Sequence, residues 1–181
     1  MKNNMCAKFE KVSYKQFKKD WLDTFGQKYS EFDENILDTI IHNIYDSIKL
    51  PKRATIGSMG YDFFSPCNLM IPVDKSVKIP TGIKCNIDNY WGLQIYPRSG
   101  HGFKYGVHLA NTVGIIDADY YNNKDNEGHI FIKLINDSEL ASLVDVKSGD
   151  AFCQGIFTQF GITYDDEVSD IRQGGIGSTS K

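Results

Sequence analysis

The first fifty residues carry hydrophobic positions at helical spacing. Phe17, Trp21 and Phe25 repeat every fourth position, which puts three aromatic side chains on one face of a helix. Ser13 is typical of the cap that begins a helix, and Gly26 is typical of its end. The pattern therefore predicts a helix between Ser13 and Gly26. Its aromatic face is interpreted as a packing surface; the alternative is a groove for a ligand or a partner.

A second helix is predicted between a cap formed by Ser30 with Asp33 and a stop at Pro51. Its apolar residues follow i, i+1, i+4, i+5 spacing and form one stripe. The stripe consists of Ile36, Leu37, Ile40, Ile41, Ile44, Tyr45 and Ile48. Two helices this short cannot bury such a stripe alone, so we expect them to pack on the rest of the chain or on a neighbouring subunit.

From Ala54 onward the pattern changes to short runs rich in β-branched and aromatic residues. The predicted strands are residues 61–64, 69–71, 77–79, 83–87, 91–96, 129–135 and 152–160. Many brief strands with regular turn signals are typical of an antiparallel sandwich or barrel, and not of alternating β–α units. The predicted fold class is all-β with an N-terminal two-helix extension.

Composition and charge narrow the functional classes. The 181 residues suit one domain with an appendage, and the formal net charge of −3 does not suit nonspecific binding to nucleic acid. The four cysteines form no CxxC pair and the four histidines are scattered, so we expect reduced thiols and no structural zinc. Neither a signal-like N-terminus nor a run of about eighteen apolar residues occurs. We expect a cytoplasmic protein that binds neither nucleic acid nor membrane.

Residues 96–120 hold the densest candidate chemistry. Pro97 lacks a backbone donor, so Arg98 and Ser99 are expected where a strand ends and not inside a ladder. This position would present a guanidinium and a hydroxyl at the edge of a sheet. Both groups suit the binding of an anion such as phosphate.

A single carboxylate follows about twenty residues later. Asp117 comes directly after an apolar run, and we expect burial against Ile115 and Ile116 to fix its direction. Asp119 would point to the opposite face if this stretch is extended, which makes it the poorer candidate. One fixed carboxylate near an arginine and a hydroxyl indicates phosphate chemistry.

Five segments in order resemble the motifs of the trimeric dUTPase family. They are ATIGSMGYDFF with Asp62, PRSG at 97–100, NTVGIIDADY at 111–120, SGDAFCQGIF at 148–157 and RQGGIGSTS at 172–180. One such segment can arise by chance, whereas five in the right order and spacing make a specific match. The resemblance implies a distorted jelly-roll or β-clip barrel at residues 51–164. The helical extension at 1–50 precedes it, and a flexible arm at 165–181 is expected to close over the active site.

The activity that the resemblance implies is that of a dUTP diphosphatase. Such an enzyme hydrolyses dUTP to dUMP and pyrophosphate, which limits dUTP and supplies dUMP for thymidylate synthesis. In the family, a water activated by the residue that matches Asp117 attacks the α-phosphorus in line. Asp117 is therefore the candidate general base; the alternative is a turn or helix-cap aspartate.

The hairpin of the third segment is implied to accept the deoxyuridine. The matching residues are Asn111, Gly114, Ile115, Ile116 and Tyr120. Backbone groups and the Asn111 amide would read the uracil edge, since an amide both donates and accepts. Tyr120 would lie against the deoxyribose and leave no room for a 2′-hydroxyl. Taken alone, Asn111 would be an ordinary turn residue and Tyr120 a half-buried strand aromatic.

The phosphates are implied to contact groups from three motifs. Arg98 would fork onto phosphate oxygens, Ser99 would donate towards the bridging oxygen of the leaving group, and Gln154 would hold the α-phosphate or the attacking water. Gly100 would permit close approach of the backbone. The alternative for Arg98 is a salt bridge between subunits. Mg²⁺ is implied to be held mainly by the substrate triphosphate and water, with Asp62 as an outer-shell candidate and no direct protein ligand.

The last segment is implied to complete the site of an adjacent subunit in a homotrimer with shared active sites. Arg172 matches an arginine that grips the γ-phosphate, while Gly177 and Ser178 would supply a backbone donor and a hydroxyl. Ile176 stands where most members carry a phenylalanine that covers the uracil. Closure should then be weaker, because base–aromatic stacking contributes roughly 1 to 3 kcal/mol.

Two other functions remain as alternatives. One is a dCTP deaminase of the same fold, but deamination needs a glutamate beside the base, and Glu127 is too far along the loop after the hairpin. The other is a nucleotide-binding regulatory protein that keeps the site as a switch. Residues 121–127 insert polar positions after Tyr120. They are interpreted as a surface loop, with a rim contact or a partner site as the alternative.

Overall fold

The computed structural model describes residues 5–139, 142–170, 172 and 174. The strands are β1 (Ala7–Lys11), β2 (Lys52–Arg53), β3 (Tyr61–Phe64), β4 (Leu69–Ile71), β5 (Lys75–Pro80), β6 (Ile83–Ile87), β7 (Trp91–Pro97), β8 (Val107–Leu109), β9 (Gly114–Ile116), β10 (Phe131–Asn136), β11 (Val144–Val146) and β12 (Ala151–Gln159). The α-helices are α1 (Tyr14–Phe25), α2 (Glu34–Ser47) and α3 (Ser99–Tyr105), and two 3₁₀ turns span Gly26–Tyr29 and Ala118–Tyr120.

The strands pair antiparallel in four small sheets, which confirms the predicted all-β class. The largest sheet has the order β2-β3-β12-β7-β9, and a second has the order β5-β10-β8. Two further pairs, β1-β6 and β4-β11, complete the β structure. All observed pairings in these sheets are antiparallel.

The N-terminal segment differs from its helical interpretation at one point. Ala7–Lys11 forms strand β1, which pairs with β6 in a register that sets Phe9 opposite Cys85. The sequence AKFEK contains one large apolar residue, so its strand pattern is too short to recognise. The pairing partner, and not local propensity, makes this segment a strand.

The two predicted helices are present. Ser13 caps the first as predicted, whereas Asp33 caps the second without Ser30, which ends the preceding 3₁₀ turn. Ser13 Oγ accepts from the backbone N–H of Gln16 at 3.1 Å, and Asp33 Oδ1 accepts from that of Asn35 at 2.9 Å. Gly26 does end α1, but it keeps right-handed dihedrals and the chain continues as a 3₁₀ turn. Helix α2 ends at Ser47, before the proline predicted to stop it.

The helices pack on the β domain, as expected. Phe17, Trp21 and Phe25 are buried in the same core as the strands, which confirms their packing role. The stripe of α2 is buried less evenly than its pattern predicts. Ile41 is fully buried, whereas Ile36 is 55% exposed.

The cysteines were expected to be reduced thiols. The four cysteines are free thiols, of which Cys6, Cys85 and Cys153 are buried. Burial raises the pKa of Cys67 to about 11, which keeps that thiol protonated at neutral pH. Among the described helices, none has the length and apolar character that crossing a bilayer requires.

Candidate active site

A cavity of about 270 Å³ lies beside the segment that joins β8 to β9. Its walls come from strands of both main sheets and from the chain after β9. The lining residues are Ile95, Leu109, Asn111, Gly114, Ile115, Ile116, Asp117, Tyr120, Phe131 and Arg172. All five residues predicted to bind the nucleoside are in this set, together with the candidate base and the arginine from the C-terminal segment.

The segment between β8 and β9 is not the two-stranded hairpin that its sequence predicts. Strand β8 pairs with β10 and strand β9 pairs with β7, so the connection passes from one sheet to another. Thr112 adopts a left-handed φ of +63° in this connection. A Cβ on Gly114 would lie 3.2 Å from Ile95 Cβ and 3.8 Å from Asn111 Nδ2. A side chain at Gly114 would therefore press on the wall of the cavity beside the Asn111 amide.

Asp117 follows β9 and precedes the 3₁₀ turn, with its side chain 53% exposed. Ile115 is 59% exposed, so the expectation that burial against the isoleucines fixes this carboxylate is wrong. The contact observed at the carboxylate is an ion pair. Arg172 Nη2 lies 2.5 Å from Asp117 Oδ2, and the Arg172 side chain is only 10% exposed.

Asp119 lies on the same side of the chain as Asp117. The opposite orientation was expected for an extended strand, but Ala118–Tyr120 forms a 3₁₀ turn, which brings the two carboxylates round together. Arg172 Nε lies 2.8 Å from Asp119 Oδ1. One guanidinium therefore bridges both carboxylates.

Tyr120 forms a buried wall of the cavity, with 6% of its surface exposed. Its hydroxyl donates to the carbonyl of His129 at 2.9 Å and accepts from Asn126 Nδ2 at 2.8 Å. Arg172 Cζ lies 5.7 Å from the ring centroid, within the range of a cation–π contact. Burial raises the pKa of the Tyr120 phenol, so it remains a neutral donor.

A second group of predicted site residues lies where β7 ends. Pro97 is the last residue of β7, and Ser99 begins α3, as its position after a proline predicts. Arg98 Nε lies 3.3 Å from Asp62 Oδ1. Gln154 Nε2 donates to the Pro97 carbonyl at 3.2 Å, and the register of β12 sets Gln154 opposite Asp62.

Gly100 lies in the first turn of α3, in open surroundings. A Cβ built on Gly100 would meet no atom within 4 Å in this chain. The close approach of the Gly100 backbone to phosphate stays a prediction. Its open surroundings leave room for a group from outside the chain.

The two groups are separate within one chain. Ile116 pairs with Leu93 on β7, and Pro97 lies further along the same strand by about 13 Å at the rise per residue of a β-strand. Arg98, Ser99, Gly100 and Gln154 are absent from the described lining of the cavity. Ile176, Gly177 and Ser178 lie outside the described residues.

The described carboxylates offer a metal ion no dense set of protein ligands. In residues 5–139, 142–170, 172 and 174, no group of three His, Cys, Asp or Glu side chains is arranged to hold a metal. The carboxylate of Asp62 is occupied by Arg98. Carboxylate oxygens such as those of Asp62 are still ligands of the kind that Mg²⁺ and its bound waters take.

Several residues of the site were missed from sequence. Ile95, Leu109 and Phe131 line the cavity, and Asn126 and His129 hold the Tyr120 hydroxyl. Ile95 and Phe131 lie in predicted strands and Leu109 lies outside them, and no spacing distinguishes the three from core residues. The polar run 121–127 was the available signal for Asn126, whereas His129 lies in the predicted strand 129–135.

Most of the chain is similar to one family of known proteins. A family model described as dUTPase matches residues 46–180. The deoxyuridine 5'-triphosphate nucleotidohydrolase of Lactococcus lactis subsp. lactis (strain IL1403) is 39% identical over 134 residues, which are 73% of this chain and 88% of that protein. The protein of the same name from Glaesserella parasuis serovar 5 (strain SH0165) is 35% identical over 83% of this chain and 98% of its own length.

Solved structures agree with the fold. The crystal structure of a dUTPase from Streptococcus mutans covers 65% of this chain and 90% of that chain, with 36% identity and a TM-score of 0.58. A mutant dUTPase from phage phi11 of S. aureus covers 69% of this chain and 92% of that chain, with a TM-score of 0.56. At 18% identity, the phage protein supports the fold alone.

Proposed function

The chain belongs to the dUTPase family, and from that premise we propose how its residues carry out the reaction. The protein is a dUTP diphosphatase, which hydrolyses dUTP to dUMP and pyrophosphate. One observation carries the assignment of residues: a single cavity holds Asn111, Tyr120, Asp117 and Arg172. These supply an amide for a base, an aromatic wall for a sugar, a carboxylate for a water and a cation for a phosphate.

The deoxyuridine occupies the cavity between Asn111 and Tyr120. The amide of Asn111 and the backbone beside Gly114 read the uracil edge, where each base position needs a donor or an acceptor. The Tyr120 ring lies against the deoxyribose. Because its hydroxyl is held by two hydrogen bonds, the ring cannot easily move to admit a 2′-hydroxyl.

Asp117 is the general base. Its carboxylate takes a proton from a water, and the water oxygen forms a bond to the α-phosphorus as the bond to the bridging oxygen breaks. The products are dUMP and pyrophosphate, and the proton on Asp117 then passes to solvent. The exposure of this side chain supports the role, because the carboxylate can be reached by a water.

The phosphates are held by cations and by hydrogen-bond donors. Arg172 binds the γ-phosphate, while Arg98, Ser99 and Gln154 bind oxygens nearer the α-phosphorus. Mg²⁺ bound to the triphosphate would neutralise charge on the phosphate oxygens. A structural Mg(II) ion is coordinated in a mutant of the phage phi11 dUTPase, and that observation concerns that protein alone. Asp62 remains an outer-shell candidate.

The assembly is a homotrimer in which each site uses more than one chain. The separation of Arg98 and Gln154 from Asp117 along β7 supports this, since one chain alone does not bring them to one phosphate chain. Ile56 is 95% exposed and Met59 is 64% exposed in the segment before β3, which suits burial against another copy.

Mixed assemblies test the shared site. Arg98→Ala and Asp117→Asn chains, each inactive alone, are unfolded together and refolded. Restored hydrolysis of dUTP is expected, because some sites then combine intact Arg98 from one chain with intact Asp117 from another. The matched control mixes Asp117→Asn with Asn111→Ala, which damage the same cavity. Restoration in the control, or none in the first mixture, would contradict the shared site.

The deaminase alternative is weakened by the position of Glu127. Its carboxylate accepts from the backbone N–H of Ser13 at 2.8 Å and from the Ser13 hydroxyl at 2.6 Å, and it is not part of the described cavity lining. Incubation with dUTP, dCTP and dUDP, with and without Mg²⁺, distinguishes the functions. Pyrophosphate from dUTP is the expected product. Ammonia from dCTP would indicate the deaminase, and binding without turnover would indicate a regulatory protein.

Two remaining assignments belong to this proposal. Residues 165–181 act as an arm that closes over the triphosphate, and the position of Arg172 on the cavity supports this. The protein acts in the cytoplasm, where its four free cysteines would stay reduced.

A further inference from the structure

A buried polar pair joins helix α1 to the β domain. Asp20 is 6% exposed and His129 is fully buried. The Asp20 carboxylate accepts from His129 Nδ1 at 2.6 Å and from Gln16 Nε2 at 2.8 Å. A buried carboxylate without such donors would be costly, so this pair fixes how the helix sits on the strands.

The hydrogen bond at the second ring nitrogen of His129 shows which nitrogen carries the proton. His129 Nε2 accepts from the backbone N–H of Gly82 at 2.7 Å, so Nε2 carries no proton. The proton is therefore on Nδ1, where it is donated to Asp20. Burial lowers the pKa of His129, which agrees with a neutral ring. Both ring nitrogens are thus held, one by α1 and one by the backbone before β6.

The backbone of His129 contacts Tyr120, a residue that lines the cavity. The His129 carbonyl accepts from the Tyr120 hydroxyl at 2.9 Å, and its N–H donates to the Asn126 carbonyl at 2.9 Å. The Asn126 side chain also donates to the Tyr120 hydroxyl, at 2.8 Å. A continuous series of hydrogen bonds therefore runs from Asp20 through His129 to Tyr120.

The loop after Tyr120 strengthens the same connection. Residues 121–127, interpreted from sequence as a surface loop, bind the N-terminal segment. Glu127 caps the start of α1 through Ser13, and the Tyr121 hydroxyl donates to Glu10 on β1. Gly128 has a φ of +79°, and a Cβ added to it would lie only 2.6 Å from the carbonyl oxygen of Tyr120. The N-terminal segment and the wall of the cavity are thus built as one unit.

We propose that Asp20 is a positioning residue for substrate selection: acting through His129, it holds Tyr120 against the sugar and so maintains the preference for a deoxyribonucleotide over a ribonucleotide. Without the carboxylate, the imidazole loses the partner that fixes its tautomer and orientation. The acceptor of the Tyr120 hydroxyl can then shift, and the ring can yield to a 2′-hydroxyl. The inference rests on the proposed contact between Tyr120 and the deoxyribose.

The test compares kcat/KM for dUTP with kcat/KM for UTP. Asp20→Asn keeps the shape of the side chain and removes its charge; we expect the dUTP:UTP ratio to fall by about tenfold, the scale of one weakened buried hydrogen bond. Most of the change should come from a lower KM for UTP. Asp38→Asn is the matched control, because Asp38 lies in the same extension and accepts from Tyr14 and Lys18, away from Tyr120. It should leave the ratio unchanged.

A second variant covers the case in which Asp20→Asn does not fold. Gln16→Ala removes one donor to the Asp20 carboxylate and should lower the ratio in the same direction by a smaller factor. Asp20→Glu, which restores the charge, should recover part of the ratio. An unchanged ratio in folded Asp20→Asn or Gln16→Ala, or an equal fall in Asp38→Asn, would overturn the proposal.

Tyr120→Leu separates this inference from the function on which it rests. It should lower the dUTP:UTP ratio more than Asp20→Asn does, and adding Asp20→Asn to it should cause no further fall, since both act through the same ring. If Tyr120→Leu leaves the ratio unchanged, the proposed sugar contact of Tyr120 is wrong. If it lowers the ratio and the Asp20 variants do not, only the role of Asp20 is wrong.

Discussion

Arg172 Nη2 lies 2.5 Å from Asp117 Oδ2, so the cation proposed to bind phosphate covers the carboxylate proposed to activate water. The same guanidinium reaches Asp119 and lies over the Tyr120 ring. Phosphate oxygens and these carboxylates compete for the same donors. We therefore expect substrate binding to draw Arg172 from Asp117 towards the phosphate, which would leave the carboxylate accessible to a water.

Removing the arginine should weaken substrate binding. We expect Arg172→Ala to raise the KM for dUTP by about tenfold or more, because a charge-assisted contact to phosphate is lost. The kcat should change less, since the carboxylate itself remains. Steady-state kinetics measure both constants. Lys147→Ala is the control: this cation pairs with Asp145 on the surface and should leave KM unchanged. An unchanged KM in Arg172→Ala would contradict the phosphate role.

The two carboxylates bridged by Arg172 should differ in their effect on turnover. Asp117→Asn should lower kcat by about 10³-fold, the scale of general-base catalysis, while dUTP still binds. Asp119→Asn is the matched control, because it removes the neighbouring carboxylate on the same guanidinium. It should cost less than about tenfold in kcat. Substantial hydrolysis by Asp117→Asn would remove it as the base.

Much of the fold could be predicted from sequence, because most strands are short runs rich in β-branched and aromatic residues. The bounds of 61–64, 69–71 and 83–87 agree with the structure. Strand β1 could not be predicted in this way, because it is made by its pairing with β6. Helix α3 was missed for a related reason: SGHGFKY contains two glycines and no apolar stripe, so its helical form depends on its surroundings.

The sequence predicted the site residues that belong to a motif. It did not predict the distances between residues of different motifs. The residues of the cavity, Asn111 to Tyr120, were found from one motif. Their separation from Arg98 could not be read from sequence, because it follows from which strands pair with β7. The link from Asp20 to Tyr120 joins residues distant in sequence, and Asp20 lies outside every motif that the sequence shows.

Two glycines should respond oppositely to the same substitution. Gly128→Ala should lower the free energy of unfolding by about 2 kcal/mol or more, because its φ is +79° and the new Cβ would meet backbone atoms of Tyr120 and Tyr121 within 3 Å. Gly26→Ala should raise it by up to about 1 kcal/mol, since Gly26 has right-handed dihedrals and open space. Urea unfolding measures both. A neutral Gly128→Ala would contradict the close approach.

Ile176 lies outside the described residues, so its position over the uracil is predicted from sequence alone. We expect Ile176→Phe to lower the KM for dUTP by roughly fivefold or more, because an aromatic ring stacks on uracil where isoleucine cannot. Ile176→Leu is the control for a change of shape without a ring and should leave KM unchanged. An unchanged or higher KM in Ile176→Phe would contradict the weakened closure.

The buried histidine should make stability depend on pH. Burial lowers the pKa of His129 below its ordinary value of 6.5, although Asp20 and Glu127 act to raise it and Lys78 acts with burial. The unfolded chain then binds a proton that the native chain does not, so the free energy of unfolding falls as pH falls below about 6.5 towards the lowered pKa. His129→Gln should be less stable at pH 7 and show a shallower slope between about pH 7 and pH 5. Urea titrations at a series of pH values measure both slopes; equal slopes for His129→Gln and the parent would show that His129 is not held neutral by the fold.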